Sequence, residues 1–323
     1  MGSGGDPWIE DRASKRPPPV QETFENLFAI WLEQHAKVKN KSWTAYEGLY
    51  HRHVADRLGR ELVQQIDRPK VIAVLDDIAK DVSGLQANKC QTLISSVFSW
   101  ALDEGKVIAH PALRIRKRGA DVRRDRVMTP DEMRRFWAAL DGLPKTVGNV
   151  LRLLALLGSR LGEVTDAARV ELNINDGPPA WTQPGRRVKN GVTHMVPLPP
   201  MATAIFREVA DATKGSYLFP AHRGGDAPIS RPHVSRTFAS LAASLEIADV
   251  RLHDLRHCCA TGMASCGIPT DVRQRVMNQI SGQGIGGRYD QHDYLAEKRR
   301  ALHIWQLRLM EIVRGRKPRG LKW

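Results

Sequence analysis

LHDLRHCCATGMASCGI, residues 252–268, decides how the rest of the chain is read. The segment has helical spacing, and His253 and Arg256, three apart, share a face of its first turn. Backbone N–H groups and the dipole at a helix N-terminus favour an anion. An imidazole and a guanidinium placed there suit a phosphate and the movement of a proton. The same letters admit a rival. His253 and His257 stand at i and i+4, like the zinc helix H-E-x-x-H with Asp254 in the glutamate place. Against that rival, Asp is shorter than the Glu that serves as base, Arg256 adds positive charge beside the would-be cation, and no third ligand stands out. The preferred reading is an anion clamp with no metal and no cofactor.

Three other stretches carry chemistry. In LGSRLGEV (157–164), Arg160 and Glu163 lie three apart at a helix start, where the carboxylate can orient a guanidinium facing a ligand; taken alone, the pair equally fits a surface ion pair. In WTQPGRRVKNGVTHMVPLP (181–199), Asn190-Gly191 between two extended segments predicts a β-hairpin. Lys189 precedes that turn, where a hairpin tip can bring a mobile cationic donor into a cleft. In VMNQISGQGIGGRYDQHDYL (276–295), four glycines run ahead of Tyr289, with Gln279 just upstream. Gly282, Gly284 and Gly287 spell G-x-G-x-x-G, but a helix precedes them and no βαβ pattern surrounds them, so a dinucleotide loop is set aside. The glycines read instead as conformational freedom for Tyr289.

Bulk properties agree with an anionic partner. The chain of 323 residues is long enough for two domains and carries a net charge of +14, which favours nucleic acid. Residues 112–126 hold seven Arg/Lys against two Asp, and residues 305–323 hold six against one Glu. No apolar run approaches the roughly 20 residues of a membrane span, and the N-terminus lacks the apolar middle of a signal peptide. Cys90, Cys258, Cys259 and Cys266 form no C-x-x-C pair and read as reduced packing thiols of a cytoplasmic protein.

The expected order is a flexible lead (1–19), a helical bundle (20–113) of four periodic helices, and a basic interdomain linker (114–127). A second unit (128–304), mainly helical with a small sheet, and a basic tail (305–323) follow. Thr129, Pro130 and Glu132 open the second unit as a capping box, and its last helix is expected over about 289–314.

In this order the pieces resemble the tyrosine recombinase (phage integrase) family, with integrases of phages and integrative elements as the nearest type. LGSRLGEV resembles the first-arginine box, and the hairpin that of the catalytic lysine. LHDLRHCCATGMASCGI resembles the His-x-x-Arg box, and RYDQHDYLAEKRRALHIW the tyrosine box. Upstream, QANKCQTLISSVFSWALDEGKVIAHPAL resembles the end of the family's helical core-binding domain.

The resemblance implies a mainly α fold with a small β-sheet: a helical core-binding domain and a mixed α/β catalytic domain. It implies site-specific cutting and rejoining of duplex DNA through a 3′-phosphotyrosyl link, without metal or ATP. Tyr289 would be the nucleophile, Arg160 and Arg256 the clamp, Lys189 the general acid, His253 a proton-transfer aid and Glu163 a support. Arg114, Arg116, Lys117, Arg118, Arg123, Arg124 and Arg126 would lie along phosphates. Implied partners are double-stranded DNA attachment sites, three further copies in a tetramer on two sites, and an accessory bending or directionality factor, with no membrane. The tail would dock in trans or stay solvated. One departure stands out: Gln279 occupies the position where the family has His or Trp, and an amide cannot carry a proton as imidazole does. Two further readings remain at this point, a type IB topoisomerase-like strand transferase and a catalytically weakened DNA-binding homologue.

Overall fold

The computed structural model of the chain describes residues 22–40, 42–120, 125–188, 191–222, 226–279 and 292–316. Lys189, Tyr289, Arg123, Arg124, the 1–19 lead and the glycine run lie outside the described residues. Contacts divide the chain into two compact units, Met1–Arg123 and Arg124–Trp323.

The first unit is helical. α1 (Phe24–Trp31) is capped by Thr23 and continues through a π-helical turn, Leu32–Ala36. Phe24, Leu27, Phe28, Trp31 and Leu32, the residues whose spacing predicts the helix, are all buried. α2 (Trp43–Leu49) runs on into π-helical turns over Tyr50–Gly59. α3 (Arg68–Asp81) starts at the Asp67 cap with Pro69 in its first turn, and α4 (Gly84–Asp103) starts at the Ser83 cap. Phe28 stacks on Tyr50 at 3.9 Å, and Phe24 stacks on Phe98 at 5.6 Å, joining α1 to α2 and α4.

The expected linker is partly folded onto this bundle, a correction to its boundary. Asn88 of α4 donates to Gly119 O (2.8 Å) and accepts from Arg118 N (2.8 Å), while Gln91 donates to Ile115 O (2.6 Å). Ile115 is buried in the same core. Gly84 and Gly119 cross so closely that a Cβ on Gly119 would fall 2.6 Å from the Gly84 carbonyl carbon. Two side-chain amides thus replace the solvation of an extended strand of chain, which is why the segment shows no apolar periodicity and still has a fixed place.

The second unit is built around α6. α5 (Pro130–Ala139) carries the expected capping box: Thr129 N donates to Glu132 (2.7 Å) and Glu132 N to Thr129 Oγ1 (3.2 Å). α6 (Lys145–Leu157) is buried nearly all round, as its apolar sequence requires. α7 (Leu161–Thr165) leads to an antiparallel sheet of β1 (Leu172–Asn173), β2 (Ala180–Gln183) and β3 (His194–Pro197), in the order β1-β2-β3. α8 (Pro200–Ala212), α9 (Arg231–Ser244), α10 (Asp254–Ser265), α11 (Thr270–Val276) and α12 (Leu295–Val313) complete the described elements.

The expected hairpin forms, and one boundary needs correction. Gln183 pairs with His194, so the connection spans residues 184–193. Pro184 ends β2, Arg187 turns back to make a two-point ion pair with buried Glu171 (2.7 and 2.5 Å), and Val188 is buried. The tail boundary at residue 304 falls inside α12. Trp305, Leu309 and Ile312 are core residues, and Trp305 Nε1 donates to Ala155 O of α6 (2.9 Å). Trp305 lies flat against Gly262 of α10, where an added Cβ would fall 2.0 Å from the ring. Burying this indole contributes on the order of 5 kcal/mol as an upper figure.

Cys90, Cys258 and Cys259 are buried free thiols, with Cys258 pushed up to about 12 by burial, as inert packing groups would be. Among the described residues no helix is long and apolar enough to cross a membrane.

Candidate active site

α6 ends at Gly158, whose φ of +61° reverses the chain. A Cβ there would also strike Met277 and Cys259 (2.6–3.0 Å), so both conformation and space call for glycine. The reversal sets Arg160 at the N-cap of α7. Glu163, buried in the first turn of α7, accepts from both Arg160 N (2.8 Å) and Arg160 Nη1 (2.7 Å). One carboxylate therefore caps the helix and aims the guanidinium. The i, i+3 spacing in the sequence foretells this pair.

Arg256 comes from the first turn of α10 and is 4% exposed. Its Nη1 donates to Gly158 O (2.6 Å) and its Nη2 to Met277 O. Burial, and then repulsion from Arg160, push its pKa down to about 10. It still carries its charge at neutral pH. Arg160 Nη2 reaches the next carbonyl, Asn278 O (3.4 Å). The two guanidinium groups therefore converge on consecutive carbonyls at the end of α11. Asn278 is itself in the left-handed region (φ +48°) and buried, which turns the chain away there.

His253 lies at the start of α10, exposed, with its ring edge-on to His257 (centroids 5.2 Å). Partial desolvation of the ring lowers its pKa, helped by His257, Arg256 and Arg160. At neutral pH it is a neutral imidazole able to give or take a proton. Among the described residues no three His, Cys, Asp or Glu side chains gather as metal ligands would. Gln279 is exposed immediately after Asn278, and its N–H donates to Gln274 O (2.9 Å).

Tyr294, the second tyrosine of the segment, is left-handed (φ +55°), and α12 begins only after it. Its ring lies under the Arg275 guanidinium at 3.5 Å and edge-on to His292.

Of the basic residues expected along DNA, Arg114, Arg116 and Lys117 are exposed. Arg118 is paired with Asp76 (2.9 Å). Arg126 is paired with Glu132 (2.6 Å) and also donates to Ala248 O (3.2 Å), so it is tied into its own unit.

Sequence reasoning missed two buried groups beside the arginines. His194 of β3 faces Val276 O through Nε2 (3.3 Å), and Lys298 of α12 donates to Met195 O. Burial pushes His194 down to about 3, and Lys298 down to about 8. Their available signal was a charged or imidazole residue at a position whose neighbours in the pattern are apolar.

The sequence matches the Phage integrase family model over residues 126–295 and the Phage integrase central domain model over residues 24–118. Among solved structures, the chain is similar to a lambda integrase (75–356) dimer bound to a COC′ core site, with 19% identity and a TM-score of 0.65, over 80% of this chain and 96% of that one. It is similar to a lambda integrase tetramer bound to a Holliday junction, with 18% identity and a TM-score of 0.66, over 87% and 83%. It is also similar to the Tn1549 transposon integrase (82–397) in complex with circular intermediate DNA, with 15% identity and a TM-score of 0.63, over 83% and 98%. No curated protein matches.

Proposed function

The chain belongs to the phage integrase family, and from that premise we propose that it cuts and rejoins duplex DNA at specific sites through a 3′-phosphotyrosyl intermediate formed by Tyr289. The observation that carries this reading is the convergence of Arg160 and Arg256 on adjacent carbonyls, with Glu163 behind one guanidinium and His253 beside the other.

The Tyr289 oxygen attacks phosphorus as its proton passes to the neutral His253 imidazole, and the P–O5′ bond breaks. Lys189 gives its proton to the departing 5′-oxygen. A 5′-hydroxyl of the second strand then attacks the phosphotyrosine and returns its proton to Lys189, the Tyr–P bond breaks, and the proton held at His253 restores the phenol. The number of phosphoester bonds is unchanged, so no external energy source enters. Arg160 and Arg256 hold the non-bridging oxygens as charge builds in the transition state. His253, neutral at working pH, hydrogen-bonds the phosphate and assists proton movement. DNA attachment sites are the substrate, and a tetramer on two sites is the working assembly. The lambda and Tn1549 structures, both integrases on DNA and one a tetramer, support this reading.

The test begins with footprinting on the DNA flanking the gene. A nicked duplex made from the protected core, incubated with the protein in a metal chelator, is expected to give an adduct that survives denaturant. Failure to form any adduct would leave a DNA-binding protein without strand cleavage, and relaxation of supercoils irrespective of sequence would favour the topoisomerase reading.

Gln279 makes a second, separable point. Its amide can donate a hydrogen bond but cannot shuttle a proton. Gln279→His is expected to speed single-turnover cleavage of the nicked duplex roughly tenfold, short of the full range of general acid–base catalysis. An unchanged rate would mean that position 279 is not limiting.

A further inference from the structure

The segment 280–291, which contains Tyr289, is flanked by two described ends, and both are tied to the same place. On the upstream side, Val276 O meets the buried His194 ring at 3.3 Å. On the downstream side, Lys298, 6% exposed in the first turn of α12, donates to Met195 O. His194 and Met195 are adjacent residues of β3. Lys298 N also donates to Tyr294 O (2.9 Å), so its own turn is closed against the end of the segment.

We propose that the His194–Met195 step of β3 is the common anchor for both ends of the nucleophile-bearing segment, with His194 and Lys298 as positioning residues for cleavage. The inference rests on the function proposed above and deepens it.

The upstream end is held at three successive carbonyls. Val276 O faces His194, Met277 O accepts from Arg256, and Asn278 O accepts from Arg160. His194 therefore sits one residue from the carbonyls on which the arginine clamp converges. A shift of the α11 end would move the clamp and the start of the tyrosine segment together.

The choice of residues also speaks for a role beyond packing. Lys298 is a buried ammonium that donates to the Met195 carbonyl, and burial lowers its pKa against the partial support of Asp293. A methionine would fill similar volume without that cost but could not donate to Met195 O. His194 lies opposite Gln183 in the strand pairing, and Gln183 is fully buried with neither amide atom hydrogen-bonded among the described residues. Three polar side chains thus occupy a region of β2, β3 and α12 where apolar residues would make the simpler core.

β3 is the return strand of the hairpin that carries Lys189. The anchor consequently links the element that would supply the leaving-group proton to both flanks of the element that would supply the nucleophile. Misplacement of reacting groups by about 1 Å can cost on the order of 10²-fold in rate.

The test uses the full chain and the nicked duplex defined by footprinting, with wild type and Tyr289→Phe run alongside. His194→Phe and Lys298→Met are each expected to slow adduct formation by about 10- to 100-fold. Affinity for the same duplex should stay within about threefold, since neither buried group faces the many phosphates that set binding. Because both act on one anchor, the double variant should be no more than a few-fold slower than the worse single variant. His194→Gln, whose longer side-chain amide can place an N–H near the Nε2 position, should recover most of the lost rate. A purely structural role would instead lower the melting temperature and the rate in parallel, and Gln would rescue neither.

Wild-type adduct rates in both Lys298→Met and His194→Phe, with the wild-type adduct mapping to Tyr289, would overturn the anchor alone. So would a rate loss matched by an equal loss of affinity or of folded protein. Should His194→Phe melt early, Lys298→Met decides the matter by the same criteria. If wild type forms no adduct, or forms it at another residue, the underlying function fails first, a visibly different outcome.

Discussion

Tyr289→Phe is expected to abolish the covalent adduct on a nicked duplex, and Tyr294→Phe to keep it. The expected loss at Tyr289 is at least about 10³-fold, the scale for removing a nucleophile that works as a unit with its site. Phenylalanine keeps the ring and removes only the attacking oxygen. Free tyrosine has a pKa near 10, so the phenol needs nearby positive charge to ionise, which in the proposed site the two guanidinium groups would supply. Tyr294 is committed elsewhere. Its ring stacks with Arg275, its backbone is left-handed, and its carbonyl accepts from Lys298 N. Tyr294→Phe leaves that stacking in place, so the variant should fold and cleave. Peptide mapping of the adduct from each variant decides the assignment; cleavage by Tyr289→Phe with none by Tyr294→Phe would reverse it.

Arg256→Ala is expected to lower single-turnover cleavage by about 10²–10³-fold, the usual effect of removing one preorganised donor to a developing oxyanion. Arg160→Ala should fall in the same range. Their joint loss should be smaller than the product, because both donors would face one phosphate and they share the α11 carbonyls. Affinity for duplex DNA should hardly move, since binding sums over many phosphates and these two see one. Arg256→Lys should not rescue. A single ammonium cannot reach Gly158 O and Met277 O, as the guanidinium fork does, and still grip a phosphate. The site that pushes Arg256 down to about 10 would also drive a lysine toward neutrality. Quench-flow rates and equilibrium binding on one duplex separate the two effects. A wild-type cleavage rate in Arg256→Ala would remove it from the clamp.

Local pattern made much of this legible. Apolar spacing placed the helices of both units, and Thr129 with Glu132 placed the start of α5. Arg160 with Glu163, and His253 with Arg256, could be paired because three residues along a helix is also a short distance in space. What escaped was non-local. Nothing in the spacing says that His194 meets a carbonyl 82 residues away, or that Lys298 meets one 103 residues away. The linker misled for a related reason: Asn88 and Gln91 bind its backbone, and backbone binding leaves no apolar period behind. In the hairpin, the pairing of Arg187 with Glu171 is likewise a tertiary contact that no turn signal announces. The error at the tail had a visible cure. Trp305, Leu309 and Ile312 follow helical spacing, but six basic residues in the same stretch drew the reading toward solvent.

The docking of α12 bears on how the chain can be divided. A fragment ended at residue 304, where basic composition suggests a tail, would cut away Trp305 and leave Gly262 facing an empty slot the width of an indole. It would also strip Leu309 and Ile312 from the core and free the Ala155 carbonyl that Trp305 satisfies. Such a hole costs several kcal/mol, comparable to the whole stability of many domains. The last turn of α12 is therefore where a self-standing second unit can end, and charge alone is a poor guide to where a protein may be cut.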